Sequence, residues 1–176
     1  MIHKRVKNFS SLIMIGLFAL LMTSKIGATQ QSNAEHDALQ QAAILGPVET
    51  IEINSIDYAT PSRVDTGAKS SSLHAKKVHR YTRNGEDYIR FQTIDENGNE
   101  YEMDKKVHHL IKVTNTSGVP EKRYVICEQI ELKGRTFWVN INLKDRSNMK
   151  YKFLLGRDLI KKGNFLVDVS EEQSSA

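Results

Sequence analysis

The chain contains one cysteine, Cys127, in 176 residues, so it can form no intrachain disulfide. It has no CxxC pair and no HExxH run, the usual signatures of a redox dithiol and of a zinc-hydrolase helix. It has no GxxxxGK[ST] loop to cradle nucleotide phosphates. No internal repeat is present. The longest apolar run, Leu12 to Met22, is too short to be a comfortable transmembrane span. The folded part also lacks a basic excess. The whole chain has 25 Lys and Arg against 21 Asp and Glu. Four of those cations, Lys4, Arg5, Lys7 and Lys25, lie in the first 28 residues, which hold no acid. Removing them leaves 21 basic residues against 21 acidic ones. That balance gives no support to nucleic-acid binding, which calls for a basic patch on the folded domain.

The N-terminus has the pattern of a secretory signal. His3, Lys4, Arg5 and Lys7 form a basic n-region, Leu12 to Met22 the apolar stretch, and Ala28 or Ala34 a small residue for cleavage. The expectation is a signal peptide over 1–28, and hence a periplasmic or secreted protein. The alternative is an uncleaved N-terminal anchor, the one circumstance that would place the chain on a membrane. No cysteine borders the run, which excludes a lipoprotein. Residues 29–43 are polar and Gln-rich and suggest a flexible linker, with a frayed helix near Glu35 to Ala43 as a second reading. Residues 44–169 are expected to form one domain large enough for its own core. Residues 170–176 suggest a polar tail.

The domain is expected to be mostly β, a small closed barrel with one short C-terminal helix. Phe137, Val139, Ile141 and Leu143 alternate with Trp138, Asn140 and Asn142, the pattern of a half-buried strand. Val107, His109, Ile111 and Val113 alternate in the same way, as do Ile51 and Ile53. Tyr88 to Ile94 is rich in β-formers. Asn84-Gly85 and Asn97-Gly98 flank that segment, and both dipeptides tolerate the positive φ of hairpin turns. A helix is predicted from about Gly156 to Gly163, with Asp158 in its first turn and Lys161 and Lys162 in its last. Cys127, in the apolar run Tyr124-Val125-Ile126-Cys127, is expected to be a small buried hydrophobe rather than a reactive thiol.

The chemistry points to Asp65-Thr66-Gly67-Ala68. An Asp-Thr-Gly after a hydrophobic strand residue presents a carboxylate in the manner of aspartic peptidases. Ninety residues on, Leu154-Leu155-Gly156-Arg157-Asp158 leads into the predicted helix. Peptide hydrolysis by aspartates needs two carboxylates sharing one proton, held about 3 Å apart so that they cannot both ionise. Asp65 is the candidate catalytic residue, Thr66 supplies a hydroxyl to fix the loop, and Gly67 allows close approach and donates an N–H. Ala68 is small enough to sit behind the loop. Only one Asp-Thr-Gly is present, so a symmetric homodimer would have to supply the second aspartate. Asp104, Asp145 and Asp158 are in-chain alternatives.

The runs Arg63 to Ala75, Asp145 to Met149 and Phe153 to Leu159 resemble the bacterial retropepsin-like family often labelled ATP-dependent zinc proteases. The resemblance spans about Gly46 to Asp168. It implies an acid-protease fold and a peptidase role. It also implies company with enzymes that ligate glutamate to proteins, whose tails such peptidases would remove. In viral retropepsins an Asp usually follows Asp-Thr-Gly-Ala and pairs with the Arg of the Gly-Arg motif. Here Lys69 stands in that place, and Arg157 is expected to pair with Asp158 or a C-terminal carboxylate. No Gly-rich flap is evident. The hairpin around Asn97-Gly98 or the Thr116-Ser117-Gly118 loop would cover the site.

The residues lend little support to the zinc and ATP of that label. His74 and His79, like His108 and His109, fall on opposite strand faces if each strand is continuous, whereas metal ligands must converge. No metal and no cofactor is therefore expected. Candidate substrate-binding residues are Ala68, Lys69, His74, Arg146 and Arg157. The cations Lys69, Arg123, Arg146 and Arg157 read either as solvated surface charge or as an electropositive cleft for acidic peptides. Three functions compete. The first is an exported aspartic peptidase acting on peptides or protein tails, the second a non-catalytic peptide or cell-envelope binding module, and the third a zinc hydrolase.

Overall fold

A computed structural model describes residues 43–114 and 118–170. The signal, the linker up to residue 42 and the expected helix near Glu35 lie outside the described residues, as do all but the first residue of the C-terminal tail. No described helix is long and apolar enough to cross a membrane.

Among the described residues the domain has eleven strands, one short α-helix and a 3-10 turn: β1 (Ile44–Leu45), β2 (Val48–Ile53), the 3-10 turn (Asn54–Ile56), β3 (Tyr58–Val64), β4 (Ser72–His74), β5 (Lys76–Arg83), β6 (Glu86–Ile94), β7 (Glu100–Thr114), β8 (Pro120–Leu132), β9 (Arg135–Lys144), β10 (Phe153–Leu155), the helix α1 (Arg157–Lys162) and β11 (Leu166–Val167). A nine-stranded sheet runs in the order β2-β3-β10-β4-β9-β8-β7-β6-β5. A further pairing of β2 with β8, Ile51 opposite Leu132, joins six of these strands into a ring. The sheet thus exceeds the small closed barrel expected, because β7, β6 and β5 continue past the ring as a meander. β1 and β11 form a separate parallel pair.

Alternation fills the ring. Ile51 and Ile53 on β2, Phe153 and Leu155 on β10, and Ile126, Ile130 and Leu132 on β8 are essentially fully buried. Each such side chain contributes roughly 1.5–3 kcal/mol by leaving water. Tight turns set the register. Asn84 and Gly85 both take positive φ (53° and 77°) between β5 and β6, as a two-residue hairpin of this twist requires. Lys133 and Gly134 do the same between β8 and β9, a turn the dipeptide chemistry did not announce.

Two sequence expectations fail at β7 and β8. A bulge between Val107 and His109 breaks the alternation. The His108 and His109 rings consequently lie 4.9 Å apart, edge to face, instead of on opposite faces. Cys127 is exposed rather than buried. Its neighbour Ile126 takes the inward position, and the two-residue period of the strand turns Cys127 outward.

Candidate active site

β3 ends at Val64, and its next residue begins the loop that carries the candidate carboxylate. The Asp65 N–H donates to the Leu155 carbonyl (2.9 Å), which fastens the loop to β10. Asp65 Oδ1 accepts from the Gly67 N–H (2.9 Å) and the Ala68 N–H (3.1 Å). Gly67 is what permits this, since a Cβ there would stand 3.1 Å from the same oxygen. Thr66 is exposed and is tied into the loop through its carbonyl.

The second motif braces the first. Arg157 makes no ion pair among the described residues. Its Nη1 donates to the Thr66 carbonyl (3.0 Å) and, at 3.4 Å, to that of Gly67, and its N–H donates to the Ala68 carbonyl (3.0 Å). This corrects the expected pairing with Asp158. Carbonyls of the Asp loop serve as the acceptors once Lys69 has replaced an acid. Asp158 instead accepts from Ser71 and from the Leu159 N–H. Gly156 is required by contact, because a Cβ there would meet the Ser70 carbonyl carbon at 2.6 Å and the Ser71 nitrogen at 2.9 Å.

Beside the loop opens a cleft of about 840 Å³. Ala68 and Lys69 line one side, and Lys112 and His109 on β7 the other. Arg123, Lys144 and Arg146 also face it, and no Asp or Glu is among its described lining residues. Ile111, Val113 and Leu154 supply apolar wall. Strands β7 and β8 border the cleft through residues such as Val113, Thr114 and Arg123, while the expected cover at Thr116-Ser117-Gly118 lies, except for Gly118, outside the described residues. The Asn97-Gly98 turn is not part of the lining. It is organised around the buried Asp95, which accepts from Asn97, Asn99 and Tyr101.

Two buried guanidiniums stand in this cleft. Arg123 binds Glu121 Oε2 through Nε (2.8 Å) and Nη2 (2.7 Å) and donates to Asn142 Oδ1 (3.1 Å). Arg146, 6% exposed, donates to the Tyr151 carbonyl (3.1 Å) and to Ser72 Oγ (2.9 Å). Burial, and then the neighbouring Arg123, pushes the Arg146 guanidinium below its ordinary value, and Asp65 opposes that push.

His74 does not reach the cleft, contrary to its place among the candidate substrate-binding residues. It is fully buried, and its Nδ1 accepts the Arg146 N–H at 2.9 Å. Burial pushes its pKa down, Asp145 opposes this, and Lys152, Lys76 and Arg146 add to it. Asn142 was overlooked because it falls on the outward side of β9. There the Ser70–Ser71 backbone covers it, and its Nδ2 donates to the Ser71 carbonyl at 2.6 Å. Among the described residues no three His, Cys, Asp or Glu side chains gather as a zinc site requires. The donors among the described residues do not fit that ion.

The model of the RimB-like family, retropepsin-like aspartic endopeptidase RimB, matches residues 44–176. The chain belongs to this family. Curated relatives include probable alpha-L-glutamate ligases of Shewanella pealeana, 35% identical over 116 residues, and of Parasynechococcus marenigrum, 34% identical over 113. The alignments cover 64% and 62% of this chain but 25% and 24% of the relatives, so the chain spans about a quarter of their length. A crystal structure of a Legionella pneumophila protein of unknown function superposes with a TM-score of 0.65 at 30% identity, covering 76% of this chain and 98% of that one.

Proposed function

We propose that the protein is an exported aspartic-type peptidase that hydrolyses peptide bonds in peptides or protein tails, glutamate-rich tails among them. The observation that carries this reading is the Asp65 carboxylate, held by the Gly67 and Ala68 N–H groups beside a cleft lined with cations. The six-strand ring is taken as the closed barrel of the retropepsin type. A carboxylate so placed takes a proton from water, and a second, protonated one donates to the scissile carbonyl. That second group would be Asp65 of another copy across a two-fold axis. The in-chain alternatives are engaged elsewhere: Asp104 with Tyr81 and Arg90, Asp145 with Ser147, Asp158 with Ser71. The glutamate chemistry in the relatives' names suits a substrate rich in carboxylates. Their ligase activity is not carried over, since the shared stretch is a quarter of their length.

A second reading is a non-catalytic binding module on the same fold. The observation that favours it is the single Asp-Thr-Gly of the chain. Digestion of a peptide library by wild-type and Asp65→Asn protein separates the two. The peptidase reading expects products only from wild type, and the binding reading expects none from either.

A further inference from the structure

Of the two buried cations in the cleft, Arg146 is the less compensated. A buried cation is costly unless it is paired and hydrogen-bonded. Arg123 meets that requirement internally through Glu121. Arg146 does not, because its two side-chain bonds go to a neutral carbonyl and a neutral hydroxyl. Its Nη2 makes no hydrogen bond within the described residues, and it is not among the sealed polar atoms without a partner. Nη2 therefore keeps access to solvent. Asp65 is near enough to influence it electrostatically, yet makes no ion pair with it within 4.0 Å among the described residues.

The geometry is deliberate on the protein's side. The Arg146 backbone is fixed by His74 Nδ1, its Nε by Tyr151 and its Nη1 by Ser72. A rigidly held guanidinium with an unengaged Nη2 offers a charge-assisted hydrogen bond to a carboxylate. The same side chain also borders a second hollow of about 410 Å³ whose lining includes Arg63 and Lys150 and no acid.

We infer that Arg146 is a specificity-determining residue: its unengaged Nη2, in the cleft beside the Asp65 loop, takes a carboxylate of the substrate. This rests on the peptidase reading and goes further by naming the group recognised and the residue that recognises it. The carboxylate has two possible sources, an acidic side chain near the scissile bond or the free C-terminus of the substrate.

The test uses four labelled pentapeptides in the full chain's hydrolysis assay: pentaglutamate and pentaglutamine, each with a free or an amidated C-terminus. A carboxylate lost from a buried charged pair should lower kcat/KM on the order of ten- to a hundredfold. A drop from Glu to Gln assigns the subsite to a side chain, and a drop on amidation alone assigns it to the chain end. Either drop must vanish in Arg146→Met and be only partly retained in Arg146→Lys, which keeps the charge but not the fork. Equal rates for all four peptides with wild-type protein would overturn the inference and leave the peptidase reading standing. Binding of the same peptides to Asp65→Asn protein, followed by fluorescence anisotropy, is independent of turnover. Selective binding of carboxylate-bearing peptides that is weakened in the Asp65→Asn, Arg146→Lys double variant would support the subsite even where wild type shows no hydrolysis. Equal binding of all four would overturn it.

Discussion

Asp158, in the first turn of α1, reaches back to Ser71. It accepts from the Ser71 N–H at 2.9 Å and from its hydroxyl at 2.8 Å, and the same hydroxyl accepts the Gly156 N–H at 3.0 Å. The two sequence motifs thus form one hydrogen-bonded unit, although they lie almost ninety residues apart. The helix braces the Asp65 loop and does not enter the cleft.

Ser71→Ala removes that shared hydroxyl and leaves the buried Gly156 N–H without its acceptor. It should cost about 1–3 kcal/mol of stability. Urea unfolding of the variant and wild type measures this, and an unchanged midpoint would separate the helix from the loop.

Gly156→Ala should be worse, because its Cβ has only backbone to push against. We expect a loss of roughly 3 kcal/mol or more, the upper end for overpacking against backbone. Gly134→Ala is the control. Nothing stands within 4 Å of its added Cβ, so only the left-handed φ of 69° is strained, at roughly 1–2 kcal/mol. Thermal melts of both variants should rank Gly156→Ala lower.

Much of this was legible in the residues. Period-2 alternation located β2 and β9, β-formers between two Asn-Gly dipeptides located β6, and the caps at Gly156 and Gly163 bound α1 as predicted. The misses share a physical cause. Alternation assigns a side chain to one face of a strand but not what covers that face. Asn142 points away from the ring interior and is buried by the Ser70–Ser71 loop, while His108 and His109 are re-aimed by a bulge that leaves no composition signature. The partner of Arg157 could not be read because carbonyl acceptors are available in every sequence.

His74 makes stability depend on pH. Its folded pKa lies below the ordinary 6.5, chiefly through burial. The unfolded chain therefore takes up the proton first as pH falls. The contribution of neutral His74 is complete above about pH 6.5 and is lost progressively below it. Protonation would also turn Nδ1 from acceptor into donor against the Arg146 N–H. His74→Leu should be less stable than wild type at pH 8 and should show a shallower decline between pH 7 and 5. Denaturant midpoints across that range test this, and parallel curves would contradict it.

Arg157→Met should leave stability nearly unchanged, because the side chain is exposed, but should loosen the carbonyls of Thr66 and Gly67. The expected effect is a fall in kcat of about tenfold, the worth of a charge-assisted hydrogen bond. Steady-state kinetics beside a thermal melt would show it, and a variant with wild-type kcat would remove Arg157 from the support of the loop.

The most direct test of the central claim is to mix wild-type chains with Asp65→Asn chains at rising ratio and follow hydrolysis of pentaglutamate. The amide oxygen introduced by Asp65→Asn can keep both loop hydrogen bonds while the ionisable group is lost, so the mixed species should fold and assemble. If two Asp65 carboxylates share one site, activity falls as about the square of the wild-type fraction and vanishes with pure variant. A fall in simple proportion would contradict the shared site, and wild-type rates in pure Asp65→Asn protein would contradict the aspartic mechanism itself.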